Sequence, residues 1–283
     1  MSNYYVKNSE FVDLHGLKGG AIYCNVEDYL SLYHLRYLSF IFCTSTENGG
    51  AIYILGPQVR VNNVCGYLCY TKEYGSFSCT ETNDSTSVKQ TYELVSISRC
   101  GNLTDYRVAC IYKGNQNHHD LNSTFNHVSE YGSFAMEVFN ENGYMRAKYV
   151  ECINNSGQFI INFYMGFSEA SDFVFLENNA SFSLLRADYG SAVVNDSYFS
   201  NNFASGYLLS ADNNGFMKSY NCYFNGSNLK SGNVQIFESR STYFYSNLLL
   251  KYGLCVPHKA ISHICGSFVN VNALILYIVN LLM

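Results

Sequence analysis

Short apolar runs recur along the chain, each alternating with polar residues and each opening on a small residue. Gly-Gly-Ala-Ile-Tyr occurs twice near the start, at Gly19–Tyr23 and Gly49–Tyr53. Looser versions follow at Tyr74–Cys79, Tyr106–Ile111, Tyr131–Met136, Ser156–Ile161, Ala180–Leu185, Ser205–Ser210 and Ser231–Ile236. Side chains two apart on an extended chain share a face, so each run predicts a strand. Stretches of Ala, Leu, Glu and Lys at the helical period are missing. From Gly132 the anchors fall at Gly157, Ser181, Gly206 and Gly232, giving steps of 25, 24, 25 and 26. Tyr252–Val256 and Asn272–Leu276 continue the series at shorter spacing.

A second marker precedes each anchor and runs in phase with it. It reads Cys152–Asn155, Phe175–Asn178, Phe199–Asn202 and Cys222–Asn225, with steps of 23, 24 and 23. Two markers on one period define a repeat array. Neither the leucine-rich frame nor the helices of ankyrin or tetratricopeptide repeats are present, whereas about 25 residues of strand and turn suit one circuit of a three-faced parallel β-helix. Ten or eleven rungs are expected. Gly19, Gly20, Gly49 and Gly50 are then corner residues that avoid a Cβ clash. The Phe or Cys of the second marker points inward, and Asn155, Asn178, Asn202 and Asn225 sit at turns, bonding to the rungs above and below.

Gly-Gly-Ala-Ile at Gly19–Ile22 and Gly49–Ile52, with Phe-x-x-Asn at Phe175–Asn178 and Phe199–Asn202, resembles the polymorphic outer membrane protein repeat. Similar repeats occur in protozoan families of surface proteins, whose Cys-rich variants the chain resembles more closely. The resemblance covers roughly Phe11 to Ile236 and implies a right-handed parallel β-helix displayed at a cell surface, with adhesion as its role. The motif residues of that family are structural, so it implies no catalytic residue. The expected fold is therefore all-β, a single right-handed parallel β-helix over residues 1–266. Residues 267–283 form a hydrophobic last rung, a cap, or a truncated membrane anchor. The apolar run from Ala273 is 11 residues long, short of the roughly 20 that span a bilayer. Membrane association through this end is one expectation.

Composition narrows the function classes. Hydrophobic residues are 48% and charged residues 14% of the chain, with 26 Tyr and 20 Phe but no Trp. The formal net charge is −5 and no Lys/Arg cluster occurs, so no nucleic-acid footprint is present. Eleven cysteines lack the paired C-x-x-C spacing of a zinc site. Cys43, Cys69, Cys100, Cys152 and Cys222 align with the inward marker position. They read either as small buried hydrophobes or as pairs between neighbouring rungs, Cys43 with Cys69 or Cys69 with Cys100. Sequons at Asn83, Asn102, Asn122, Asn154, Asn179, Asn195 and Asn225 fit a secretory glycoprotein. No basic start followed by an apolar core is visible at the N-terminus, so the chain reads as a fragment, a misplaced start or a protein outside the secretory route.

Candidate chemistry is sparse. Glu137, Asp188, Asp212 and Glu238 recur just past the predicted strands. On adjacent rungs such carboxylates would lie near the ~5 Å of a retaining glycosidase pair, or could gather a calcium ion. Their offsets from the anchors vary from five to seven residues, so a shared face does not follow, and Arg186 and Arg240 stand close enough to neutralise them. Asp188, Asp212 and Glu238 are the catalytic candidates of that reading. His118, His119, Asp120 and His127 form the only histidine cluster, but adjacent residues on an extended chain point opposite ways. No phosphate loop or nucleophile elbow appears, and no cofactor is expected. The sequence thus favours a non-enzymatic surface or secreted scaffold that binds glycans or host-surface proteins. The alternative is a carbohydrate-active enzyme, a polysaccharide lyase or hydrolase.

Overall fold

The computed structural model describes residues 3–26, 31–56, 58–82, 87–226, 228–237 and 239. The C-terminal segment 267–283, the late repeats at Tyr252 and Asn272, Glu238, Arg240 and the Asn83 sequon lie outside them. The described residues form a parallel β-helix with no helical segment. One sheet stacks ten strands in chain order, from Asn3–Val12 through Asn115–Thr124 and Tyr144–Ile153 to Val234–Phe237, with two short strands beside that path. The second stacks Ile22–Asn25, Ile52–Gly56, Ser78–Thr82, Arg107–Tyr112, Tyr131–Glu137, Ser156–Tyr164, Asn179–Asp188, Tyr207–Asp212 and Lys230–Gly232. Every recorded pairing is parallel, and chain neighbours stack as rung neighbours. The repeat is less regular at the start than its markers suggest. Leu32 stacks on Asn3, a step of 29, whereas Phe167 stacks on Tyr144, a step of 23.

Corners come from single residues in left-handed conformation. Each long strand of the first sheet bends at one, including Tyr37, Asn63, Leu94, Asp120, Tyr149 and Asp172, with φ between 53° and 56°. One such residue turns the chain while the ladder continues on both sides. Asn and Asp adopt this conformation readily, whereas Leu94 and Tyr149 are held there by their neighbours in the stack. The Gly-Gly pair works by two different means. Gly19 and Gly49 have φ of 57° and 69°, the region glycine favours. Gly20 and Gly50 are packed so closely on the next rung that a Cβ would strike the carbonyl oxygens of Gly50 and Ser76, respectively.

Inside, Phe175 stacks on Phe199 at 4.8 Å and Phe199 on Phe224 at 5.0 Å between ring centroids. Beside them runs a ladder of amides. The backbone N–H of Asn126 donates to Asn155 Oδ1, that of Asn155 to Asn178 and that of Asn178 to Asn202, each at 3.0 Å. The amide nitrogens of Asn155, Asn178 and Asn202 donate back to the carbonyls of Ser123, Cys152 and Phe175 at 2.7–2.8 Å. Every buried donor of the corner is thereby used.

The register corrects the alignment of four cysteines and of Asn225. Phe40, Gly66, Ile97, Ser123 and Cys152 stack in one column. Cys43, Cys69 and Cys100 lie three residues further on and occupy the asparagine position, not the phenylalanine one. Their backbone bonds prove the alignment: Cys69 N–H donates to Cys100 Sγ at 3.4 Å and Cys100 N–H to Asn126 Oδ1 at 2.7 Å. Cys222 stacks next to Ser197, since Tyr223 pairs with Tyr198. Asn225 consequently falls off the ladder and is exposed. Only Cys152 holds the inward marker position. Cys43, Cys69 and Cys100 are free thiols, so the cross-rung disulfides open from sequence are not made. Each thiol instead points to backbone carbonyls, as Cys69 does to Tyr67 at 3.6 Å and Cys100 to Ser98 at 3.5 Å.

Candidate functional site: an aromatic-walled groove

The outer face of the second sheet departs from the polar exterior expected of a solenoid. Strands Ser78–Thr82 to Tyr207–Asp212 bring Glu81, Tyr112, Glu137, Tyr164, Asp188 and Asp212 into one column on successive rungs. Acids and tyrosines alternate until the last two acids, which are neighbours. A parallel column, on the same face two residues earlier, runs Cys79, Cys110, Ala135, Asn162, Arg186 and Ser210. It forms a floor of mostly small side chains.

Rings pack on both sides of this column, whose members other than Arg186 are buried from solvent. On one side Tyr131 packs on Phe159 at 5.6 Å, and Phe159 edge-on against Phe182 at 5.3 Å. On the other, Tyr112, Phe139, Tyr164 and Tyr189 form a chain of contacts at 5.9, 5.1 and 5.6 Å. Phe182 is 36% and Tyr189 54% exposed, so the outer ring of each wall is open to solvent.

Two arginines cross the groove. Arg107 donates from Nε to Glu130 and from Nη1 to Glu137, both at 2.9 Å, and also reaches the Tyr112 hydroxyl. Its guanidinium stacks on Tyr131 at 4.5 Å. Arg186 holds Asp212 at 2.9 Å and Asp188 at 3.1 Å, and stacks on Phe159 at 4.6 Å. Desolvation dominates the state of Glu137: burial pushes its carboxyl up to about 7, against the pull of Arg107 and with Glu130 and Asp188 adding to the rise. Asn162 is fully buried beside it, and its amide, hydrogen-bonded to the Glu137 carboxyl, opposes that rise.

Asp188 and Asp212, singled out from sequence, are thus adjacent, and they share Arg186. Glu137, also noticed there, joins their column because register shifts within strands Tyr131–Glu137 and Ser156–Tyr164 absorb the unequal offsets. Sequence reasoning missed Arg107, Glu130 and Asn162. Arg107 lies within a recognised strand, but no local signal shows that its side chain crosses the face to a partner 30 residues away. The histidines do not converge. His118 is buried inside and held neutral, its pKa lowered to about 3 by desolvation. His119 faces outward onto Asp120 at 2.9 Å, and His127 bonds Ser156 at 2.7 Å. Among the described residues no three His, Cys, Asp or Glu side chains converge as a metal site requires. An open cleft lined by Leu17, Lys18, Tyr23 and Glu47 lies at the N-terminal end of the same face, where Tyr23 stacks through Tyr53 on Cys79.

Of this layer the rings of Phe182 and Tyr189 are the ones exposed, and exposed aromatic faces can stack sugar rings. Comparison with protein-family models, with curated proteins and with solved structures finds no match for the chain.

Proposed function

We propose that this protein is a non-enzymatic scaffold, secreted or displayed at a cell surface, which binds glycans in the groove along its second sheet. One observation carries the reading: Phe182 and Tyr189 stand exposed on either side of a buried layer in which each arginine is held by two carboxylates. Such a site is built for shape and stacking, and its charges are mutually satisfied. The surface location is supported by the resemblance of the Gly-Gly-Ala-Ile and Phe-x-x-Asn tetrapeptides to a surface-displayed repeat family. Host-surface proteins are the other partner class that such a face suits. Glycan-array binding of the purified chain tests the proposal, with Phe182→Ala and Tyr189→Ala as groove variants. Array signal that both variants reduce is expected. A blank array, or binding to a host protein that both variants leave intact, would end the glycan reading.

One observation favours a second reading. Glu137 titrates near neutrality and stands two rungs from Asp188 in the same column, a separation of ~9.6 Å by strand spacing. That falls close to the upper limit for an inverting glycosidase pair. Release of reducing ends from a polysaccharide panel, abolished by Glu137→Gln, would replace the scaffold reading with a hydrolase.

A further inference from the structure

Cys79 and Cys110 are partners in register on strands Ser78–Thr82 and Arg107–Tyr112. Strand spacing puts their Cα atoms ~4.8 Å apart, inside the range that a disulfide accepts. Both are thiols in the structure, and both are buried. They lie on the outer side of the sheet, in a small apolar cluster with Tyr53 that is separate from the interior core. Leu55 and Tyr112 pack against that cluster. The Cys79 thiol is hydrogen-bonded to the Cys110 thiol, so the two sulfurs already face each other.

The interior column differs. Cys43, Cys69 and Cys100 also stack, yet each donates to a backbone carbonyl two residues earlier, Ile41, Tyr67 or Ser98, at 3.5–3.7 Å. Joining two of them would withdraw donors from buried carbonyls, which is costly, and would leave the third thiol over. We infer that Cys79 and Cys110 form a cross-rung disulfide when the chain meets a low-molecular-weight disulfide such as glutathione disulfide, closing one circuit of the β-helix into a covalent ring that stabilises the fold.

The chemistry is two successive exchanges. One protein thiolate attacks glutathione disulfide, forming a mixed disulfide and releasing one glutathione thiol. The other protein thiolate attacks the protein-side sulfur and releases the second. Two electrons pass from the protein to glutathione disulfide, and the two thiol protons end on the glutathione released. The bond to Cys110 and burial hold the Cys79 thiol well above its ordinary pKa, and a protonated thiol is a poor nucleophile. Exchange therefore waits on opening of the layer formed by Tyr53, Leu55 and Tyr112.

The experiment incubates the reduced full chain with glutathione disulfide, with and without sub-denaturing urea, then denatures, alkylates and digests it for mass spectrometry. A peptide pair linked through Cys79 and Cys110 is expected, forming faster in urea, with Cys43, Cys69 and Cys100 alkylated. Oxidation should raise the folded-to-unfolded ratio by about 100-fold, the scale of a loop of this length, read as a higher denaturation midpoint. Cys110→Ala should lose both the link and that gain, and Ala135 shows that the column accepts alanine on the next rung. Full alkylation of both thiols after exposure in urea overturns the inference, as does glutathione left attached to either one, or a link from either to another cysteine. An equal gain in Cys110→Ala would overturn the stabilising role of the ring.

Discussion

Glu137 shows how one residue ties the groove to stability. Its ordinary pKa is 4.5, and burial raises it to about 7 in the fold. Between those values the folded chain holds a proton that the unfolded chain has lost. The contribution of Glu137 is therefore favourable at low pH and declines as pH rises toward 7. Wild-type protein should lose about 1–3 kcal/mol from this group between pH 5 and 7.5, and Glu137→Gln should flatten that part of the profile. Denaturant titrations at both pH values measure the slope, and an unchanged slope in the variant would assign the titration elsewhere. Gly50 makes the opposite kind of demand, steric and independent of pH. A methyl group there meets the Ser76 carbonyl, so Gly50→Ala should cost about 1–3 kcal/mol or more, read as a lower denaturation midpoint. Retention of the wild-type midpoint would show that the rungs can part at this corner.

The elements were legible in the sequence because strands announce themselves by alternation and corners by small or polar residues. Register was less so. The Asn155–Asn178–Asn202 column could be read because three copies keep one spacing, yet Cys43, Cys69 and Cys100 replace Asn in that column and were placed three residues early. A buried Cys and a buried Phe both look like core, and only the backbone bonds separate the two positions. The groove was half visible for a related reason. The acids of its column are regular in space and irregular in sequence, since register shifts near Tyr131 and Gly157 take up the difference. Arg107 could not be read at all, because its partners are fixed by stacking and not by spacing. The corrected column makes its own prediction. An amide at position 100 would accept from Cys69 N–H and donate toward the Gly66 carbonyl, by analogy with Asn126 and Ile97. Cys100→Asn should therefore be neutral or stabilising by about 1 kcal/mol, whereas Asn178→Ala should cost about 1–3 kcal/mol by removing side-chain bonds to Asn155, Cys152 and Asn202 on the two adjacent rungs. Thermal melts of the two variants decide it, and a strongly destabilised Cys100→Asn would refute the shared column.

A solenoid has little interior beyond its stack, so the whole molecule presents most of its sequence as surface in long parallel columns. Use of that surface by a secretory glycoprotein is limited by which sequons a folded rung can expose. Asn102, Asn179 and Asn225 are exposed, Asn154 and Asn195 are half-buried, and Asn122 is 8% exposed. Asn122 lies between Ser96 and Glu151 on the adjacent rungs, so a glycan there would have to part the stack or displace what covers it. None of the three exposed sites belongs to the acidic column or to the ring walls, and sugars attached to them would leave the groove residues unmodified. Expression in a secretory host should therefore give a protein whose gel mobility shifts on enzymatic deglycosylation. Asn102→Gln, Asn179→Gln and Asn225→Gln should each remove one increment of that shift, and Asn122→Gln should remove none. Loss of an increment with Asn122→Gln would mean that this face opens in the secreted chain. A band that no treatment shifts would remove the sequons as support for secretion, and the scaffold reading would then rest on the groove alone.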